Sequence, residues 1–239
     1  LKVLELPDIK EEATEEVFLT NLPSLDLEVL KCDVESGLAL QLLTASSTRR
    51  LTFENAQESD FDFLLGFLKV QENLEFLYLH CENVDLEPFN SNALNNVDFR
   101  LKTIKLYGIE IPDPQNFLEF INNHAETLTH VEFLYSSSSS MVNCLKNMKM
   151  IKKLVLIDTD NEIDFDIREN VVELVIDCPV KFDLALKFPN LIKLKVDFEN
   201  NCLKLEKFEK LTHLEIGGIG NNLELTVSAS TKFIRFKNI

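Results

Sequence analysis

Tryptophan is missing from this 239-residue chain, and glycine occurs only 6 times. No stretch approaches the ~20 consecutive apolar residues that a membrane-crossing helix needs. Basic charge is scarce as well: 24 Lys and Arg face 40 Asp and Glu, a net charge of −16. A chain so acidic lacks the cationic surplus that nucleic-acid phosphates or an anionic membrane surface demand, so neither is an expected partner. The 5 cysteines, at 32, 81, 144, 178 and 202, form no CxxC, and no Asn-x-Ser/Thr acceptor is present. An odd set of scattered thiols without glycosylation signals points to a reducing, intracellular compartment, cytoplasm or nucleus. Also missing are G-x-S-x-G, H-E-x-x-H and any phosphate-cradling P-loop. The one glycine-rich run, GGIGNN (217–222), has no Lys-Ser/Thr after it. The chain therefore reads as a non-enzyme without cofactor or metal.

What is abundant is leucine at fixed spacing. The stretch LEFLYLHCEN (74–83) contains an L-x-x-L-x-L motif that recurs along the whole chain. Its instances are LKVLEL (1–6), LPSLDL (22–27), TRRLTF (48–53), LEFLYL (74–79), LKTIKL (101–106), LTHVEF (128–133), IKKLVL (151–156), VVELVI (171–176), LIKLKV (191–196), LTHLEI (211–216) and TKFIRF (231–236). The central apolar residues stand at 4, 25, 51, 77, 104, 131, 154, 174, 194, 214 and 234, so the last five are each 20 apart. Alternation of this kind predicts a strand with leucines on one face and variable residues on the other. One such unit cannot bury its leucines, whereas stacked units share a continuous core.

The motif resembles the leucine-rich-repeat family, whose unit is L-x-x-L-x-L-x-x-N/C-x-L. The ladder position four residues past the anchor is filled in family fashion by Asn55, Cys81 and Cys178, and elsewhere by residues such as Gly108 and Tyr135. The resemblance implies an α/β solenoid, a horseshoe of about eleven repeats over residues 1–239 with a concave parallel β-sheet. Because the chain opens at Leu1 inside the repeat, it is read as a fragment of a longer protein. The cysteine-type rung is similar to the repeats of F-box proteins. That similarity implies the substrate-recognition part of an F-box-type ubiquitin ligase, reaching its adaptor protein through a segment outside this chain. A structural scaffold within a larger intracellular assembly is the alternative.

The segments between motifs differ along the chain. In residues 1–150 FDFLLGFLKV (61–70) and PQNFLEFINNHAET (114–127) place apolar residues at helical spacing, the second with Asp113 as N-cap and Pro114 at the first helical position. In residues 151–239 the 20-residue units leave no room for a full helix, and EIDFDI (162–167), KFDLAL (181–186) and LELTV (223–227) alternate as extended segments should. Three other runs attract notice. His80-Cys81 looks like a ligand pair, but neighbouring strand residues face opposite ways, so Cys81 belongs to the core. DTDNEIDFDIRE (158–169) has calcium-loop acids but Ile163 where the sharp turn requires glycine. SSSSS (136–140) reads as a loop accessible to phosphorylation.

The variable face is where a partner is expected. Residues one before, one after and three after each anchor point there, which gathers Phe76, Tyr78, His80, Lys105, Tyr107, His130, Leu134, Val155 and Ile157 into one patch. Exposed aromatics with an apolar fringe are what interaction hot spots look like, so a protein partner is expected on this concave face. By the same columns the first three strands carry Glu5, Asp26, Glu28 and Glu54 against Arg50. A partner with a basic end and a hydrophobic middle would complement them.

Overall fold

Alternation does set the strands. Along 76–81, Leu77, Leu79 and Cys81 are fully buried while Phe76, Tyr78 and His80 are half-buried on the other face. The computed structural model of the chain describes residues 2–6, 25–32, 46–56, 61–85, 94–110, 114–135, 144–157, 166, 168–177, 183–197, 202–217 and 224–236. They fall in two units, Leu1–Leu128 and Thr129–Ile239. In the first unit β1 (Val3–Leu6), β2 (Asp26–Cys32), β3 (Ser47–Ala56), β4 (Phe76–Asp85) and β5 (Thr103–Glu110) pair in chain order, each parallel to the next. In the second, β6 (His130–Leu134), β7 (Lys153–Ile157), β8 (Glu173–Asp177), β9 (Lys193–Asp197), β11 (His213–Gly217) and β13 (Phe233–Phe236) do the same. Two further strands, β10 (Cys202–Leu205) and β12 (Glu224–Val227), form a separate parallel pair. Parallel strands in sequential order, each joined to the next by a crossover, are a solenoid-like α/β arrangement.

The register corrects one expected motif. The residue aligned with Leu4 and Leu51 is Leu30, not Leu25. LEVLKC (27–32) therefore supplies the second rung, with Leu30 and Cys32 buried in the core. Asp26 and Glu28 leave the expected columns, and Lys31 takes the place beside Glu5.

Connecting segments follow their local chemistry. Helix α1 (Phe61–Lys69) buries Phe61, Leu64, Phe67 and Leu68 along one stripe, with Asp62 in its first turn and Lys69 in its last, as the helix dipole favours. Helix α2 (Pro114–Asn122) begins at the proline, whose fixed φ suits that position, and buries Phe117, Phe120 and Ile121. The expected cap Asp113 lies outside the described residues. In the second unit β12 is extended as its alternation predicts. KFDLAL is different: it closes into the short helix α3 (Leu184–Lys187). Asp183 accepts hydrogen bonds from the backbone N–H of Ala185 at 3.0 Å and of Leu186 at 3.4 Å, and this cap offsets the weak alternating pattern. Among the described residues no helix is long and apolar enough to cross a membrane.

The core is built on phenylalanine. Phe53, Phe67, Phe99, Phe117, Phe120, Phe133, Phe188 and Phe208 are fully buried, which accounts for much of the unusual count of 18. Within each unit, polar side chains tie one connecting segment to the one before it, and in the first unit these groups are buried. Gln71 follows α1 and is fully buried; its Oε1 accepts from the Thr48 N–H at 2.9 Å and its Nε2 donates to the Ser46 carbonyl at 3.0 Å. His124 plays the same part after α2, its Nδ1 accepting from the Leu101 N–H at 3.3 Å. In the second unit two asparagines 20 residues apart make similar bonds, exposed at the surface: Asn170 donates to the Lys149 carbonyl and Asn190 to the Glu169 carbonyl.

Replacing Gln71 by Leu strands the Thr48 N–H and the Ser46 carbonyl in the core. An unpaired buried group costs about 1–3 kcal/mol, so Gln71→Leu should unfold at correspondingly lower urea. An unchanged midpoint would contradict that role.

His124 makes a pH dependence. It is fully buried between the Phe99 ring at 5.4 Å and the Phe120 ring at 4.8 Å, and its Nε2 has no hydrogen-bond partner among the described residues. Burial, with the Arg100 charge adding to it, lowers its pKa from 6.5 to about 3. The folded chain thus refuses a proton that the unfolded chain accepts below pH 6.5. The stability tied to neutral His124 is complete above that pH and is lost as pH falls towards 3, at a limit of about 1.4 kcal/mol per pH unit. Urea titrations at pH 7.5 and pH 5 should show a steeper loss for the parent chain than for His124→Gln. Identical losses would refute the assignment.

Candidate functional site

The variable strand face was the expected site, and its nine residues divide between the two units. Phe76, Tyr78, His80, Lys105 and Tyr107 belong to the first, and His130, Leu134, Val155 and Ile157 to the second.

In the first unit β4 and β5 are paired so that Phe76 stands beside Thr103, Tyr78 beside Lys105 and His80 beside Tyr107. On the other flank Arg50 is paired with Phe76 and Thr52 with Tyr78. All these side chains leave the sheet on the face opposite the leucines, because each is an even number of residues from the next on its strand. The Arg50 guanidinium lies 4.1 Å from the Phe76 ring centroid, a cation–π contact. The His80 and Tyr107 rings meet edge to face at 4.2 Å. Rings fixed this way lose little entropy when a partner covers them. Arg50 was not among the expected patch residues; its place one before the anchor Leu51 was the available signal.

Charge on this face also differs from expectation. Lys31 donates to Glu5 at 2.7 Å, a pair the shifted β2 register creates. The hydrogen bond and charge of Glu5, with a smaller part from Glu54, raise the Lys31 pKa. The acidic end built on Asp26 and Glu28 does not exist there.

The face of the second unit has another character. His130 Nε2 meets Glu132 Oε1 at 2.6 Å, and Lys153 lies 3.6 Å from the same oxygen and 3.3 Å from Glu173. Lys193 adds a 3.5 Å contact to Glu173, and Lys195 lies 3.4 Å from Glu215. Opposite charges thus alternate across β6, β7, β8 and β9, each pair contributing about 0–1 kcal/mol at such exposure. Leu134 and Ile157 are strand partners and half-buried, but Val155 is only 6% exposed and offers a partner almost nothing. Farther along, a hollow of about 230 Å³ is lined by Val175, Lys193, Lys195, His213, Glu215 and Phe233.

One backbone feature recurs that the motif only hinted at. Asn55, Gly108 and Tyr135, each four past its anchor, have φ of 54°, 65° and 54°. Asn55 falls at the register shift of the β3–β4 ladder, Gly108 lies within β5, and Tyr135 follows β6; left-handed backbone suits asparagine and glycine and strains tyrosine. Tyr135, half exposed beside Leu134, is an aromatic that column counting missed.

The reactive candidates do not assemble. Cys81 is fully buried while His80 is on the opposite face, so the two share no ligand. Burial pushes the thiols of Cys32 up to about 12 and of Cys144 up to about 11, which makes both poor nucleophiles. The Ser136–Ser140 run, most of the acidic 158–169 stretch and most of GGIGNN lie outside the described residues. Among the described residues no three His, Cys, Asp or Glu side chains are grouped to hold a metal. No family model, curated protein or solved structure matches the chain.

Proposed function

We propose that this chain is a leucine-rich-repeat solenoid that recognises a protein partner through its variable, concave strand face. One observation carries the reading: Phe76, Tyr78, His80 and Tyr107 stand together in register on two paired strands, on the face the core does not use. Large rings held in place at a surface are the side chains that dominate binding energy when a partner covers them. Sequential parallel strands support the solenoid, and helices α1 and α2 in the first unit against extended β10 and β12 in the second support longer and shorter repeats. On this reading about eleven repeats stack, with helices and then extended segments on the convex side. Substrate recognition within an F-box-type ubiquitin ligase rests on the cysteine rung, where Cys81 is a buried core residue. The scaffold alternative draws its support from the second unit, whose face spends its charges on one another.

Photo-crosslinking decides between recognition and an idle face. The cross-linking amino acid p-benzoylphenylalanine at position 78 should trap a protein in cells, whereas at Asp62, exposed on α1, it should not. Adaptor and cullin proteins co-purifying with the full-length protein would favour the ligase, and a stable complex without them the scaffold. With the trapped partner purified, Tyr78→Ala combined with Tyr107→Ala should weaken binding by roughly 30-fold or more, the scale of a hot spot. Unchanged affinity in a variant that melts like the parent would sink the proposal.

A further inference from the structure

The face of the second unit carries a hollow that its ion pairs leave open. Its volume is about 230 Å³, and Leu174, Leu194 and Leu214 belong to its lining, so its floor is the sheet itself. Val175, half-buried, rises from that floor as the short side chain of its row, beside Lys195. Two rings close the side towards β13. His213 and Phe233 are strand partners with ring centroids 5.8 Å apart, and Phe233 is 50% exposed. The Thr212 hydroxyl lies 2.8 Å from His213 Nδ1, which limits rotation of the imidazole. The acids of the lining already have cations. Glu173 holds Lys193 at 3.5 Å, and Glu215 holds Lys195 at 3.4 Å. Arg235, the next charge along the row, stands beside Glu215 and outside the lining.

Size and charge together select the occupant. An apolar cavity of about 150 Å³ takes a benzene ring, whereas pockets for drug-sized ligands start at about 300 Å³. The hollow therefore has room for one ring side chain and little else. A charged side chain entering it would have to break one of the ion pairs or lose its hydration without a new partner. An uncharged ring breaks none, and it gains contact with the His213 and Phe233 rings. One ring covered in this way contributes only a small share of a binding free energy, so it is best delivered by a larger surface that makes other contacts. Resting on the recognition reading above, we infer that this hollow receives one uncharged aromatic side chain, phenylalanine or tyrosine, of the protein partner.

Four capped amino acids test the hollow on the ¹⁵N-labelled full chain: the N-acetyl amides of phenylalanine, leucine, aspartate and lysine. The phenylalanine amide should bind roughly threefold or more tighter than the leucine amide, the scale of a ring–ring contact, and roughly tenfold tighter than either charged one. It should shift the backbone amides of Val175, Lys195, His213 and Phe233, and added salt should not weaken it. Val175→Phe fills the hollow from its floor and Phe233→Ala removes a wall. Both should abolish those shifts while the rest of the spectrum shows that the fold is kept. With the partner trapped through position 78 purified, each variant should also weaken its binding by roughly tenfold. Any other amide bound as tightly as the phenylalanine amide, shifts confined to other residues, or no shift with any amide at millimolar concentration would overturn the inference. So would partner binding that both variants leave unchanged. If Tyr78→Ala with Tyr107→Ala still weakens that binding, the recognition reading survives; if it does not, both fail.

Discussion

Each strand's apolar residues are buried only because the next strand lies alongside in register, and the remaining features depend on that shared burial. Leu30, Leu51, Leu77 and Ile104 are fully buried as a row across four strands. At roughly 25 cal/mol per Å² of apolar surface, a buried leucine is worth about 2–3 kcal/mol, and a rung carries two or three such residues. A one-residue slip would turn the whole set to solvent and bring Phe76, Tyr78 and His80 into the core, so the register is held far more firmly than any surface contact could hold it. The variable face inherits its geometry from this constraint. Its side chains have defined neighbours because the leucines beneath them have no alternative.

The same constraint explains which parts of the fold were legible in the sequence. Anchors spaced by 20 residues leave one register, and Leu154, Leu174, Leu194 and Leu214 align as counted. Between 22 and 32 the sequence offers two overlapping motifs, LPSLDL and LEVLKC, that share Leu27 and satisfy the pattern equally. Pairing decides: with Leu30 as anchor, Cys32 aligns with Phe53 in the core, and Lys31 meets Glu5. No local signal carries that information, because it resides in the neighbouring strands. The helical turn at 184–187 was hidden for the opposite reason. Its cause is entirely local, one aspartate at the cap, and a count of alternating apolar residues does not weigh a cap.

The site was legible in part. Facing was correct for Phe76, Tyr78, His80, Lys105 and Tyr107, since period two fixes it once the anchor is known. Exposure was less accessible, because it depends on what neighbours do. Val155 faces the variable side yet is buried, with Glu132 and Val175 as its strand partners and the Lys153–Glu132 and Lys153–Glu173 contacts nearby. The buried polar ties of Gln71 and His124 were invisible for a related reason. A glutamine and a histidine after a helix look like ordinary surface residues until the backbone groups they satisfy, 23 residues earlier, are placed beside them.

The two faces show why identical scaffolding need not mean identical use. In the second unit alternate strands carry opposite charges, so Lys153 and Lys193 find carboxylates on their own sheet, and a ligand would have to replace those contacts to gain its own. Such replacement returns little, since each exposed pair is worth at most about 1 kcal/mol and the incoming charge must also be desolvated. In the first unit Arg50 is held by a ring and, among the described residues, by no carboxylate, so a carboxylate arriving from outside adds an ion pair without first breaking one of these. A cation held against an aromatic ring is already partly desolvated and already oriented, which removes two of the costs that weaken exposed salt bridges. Charge complementarity is therefore cheaper to obtain around Phe76 than on the ionic lattice, and this difference, more than the number of aromatic rings, singles out the face of the first unit.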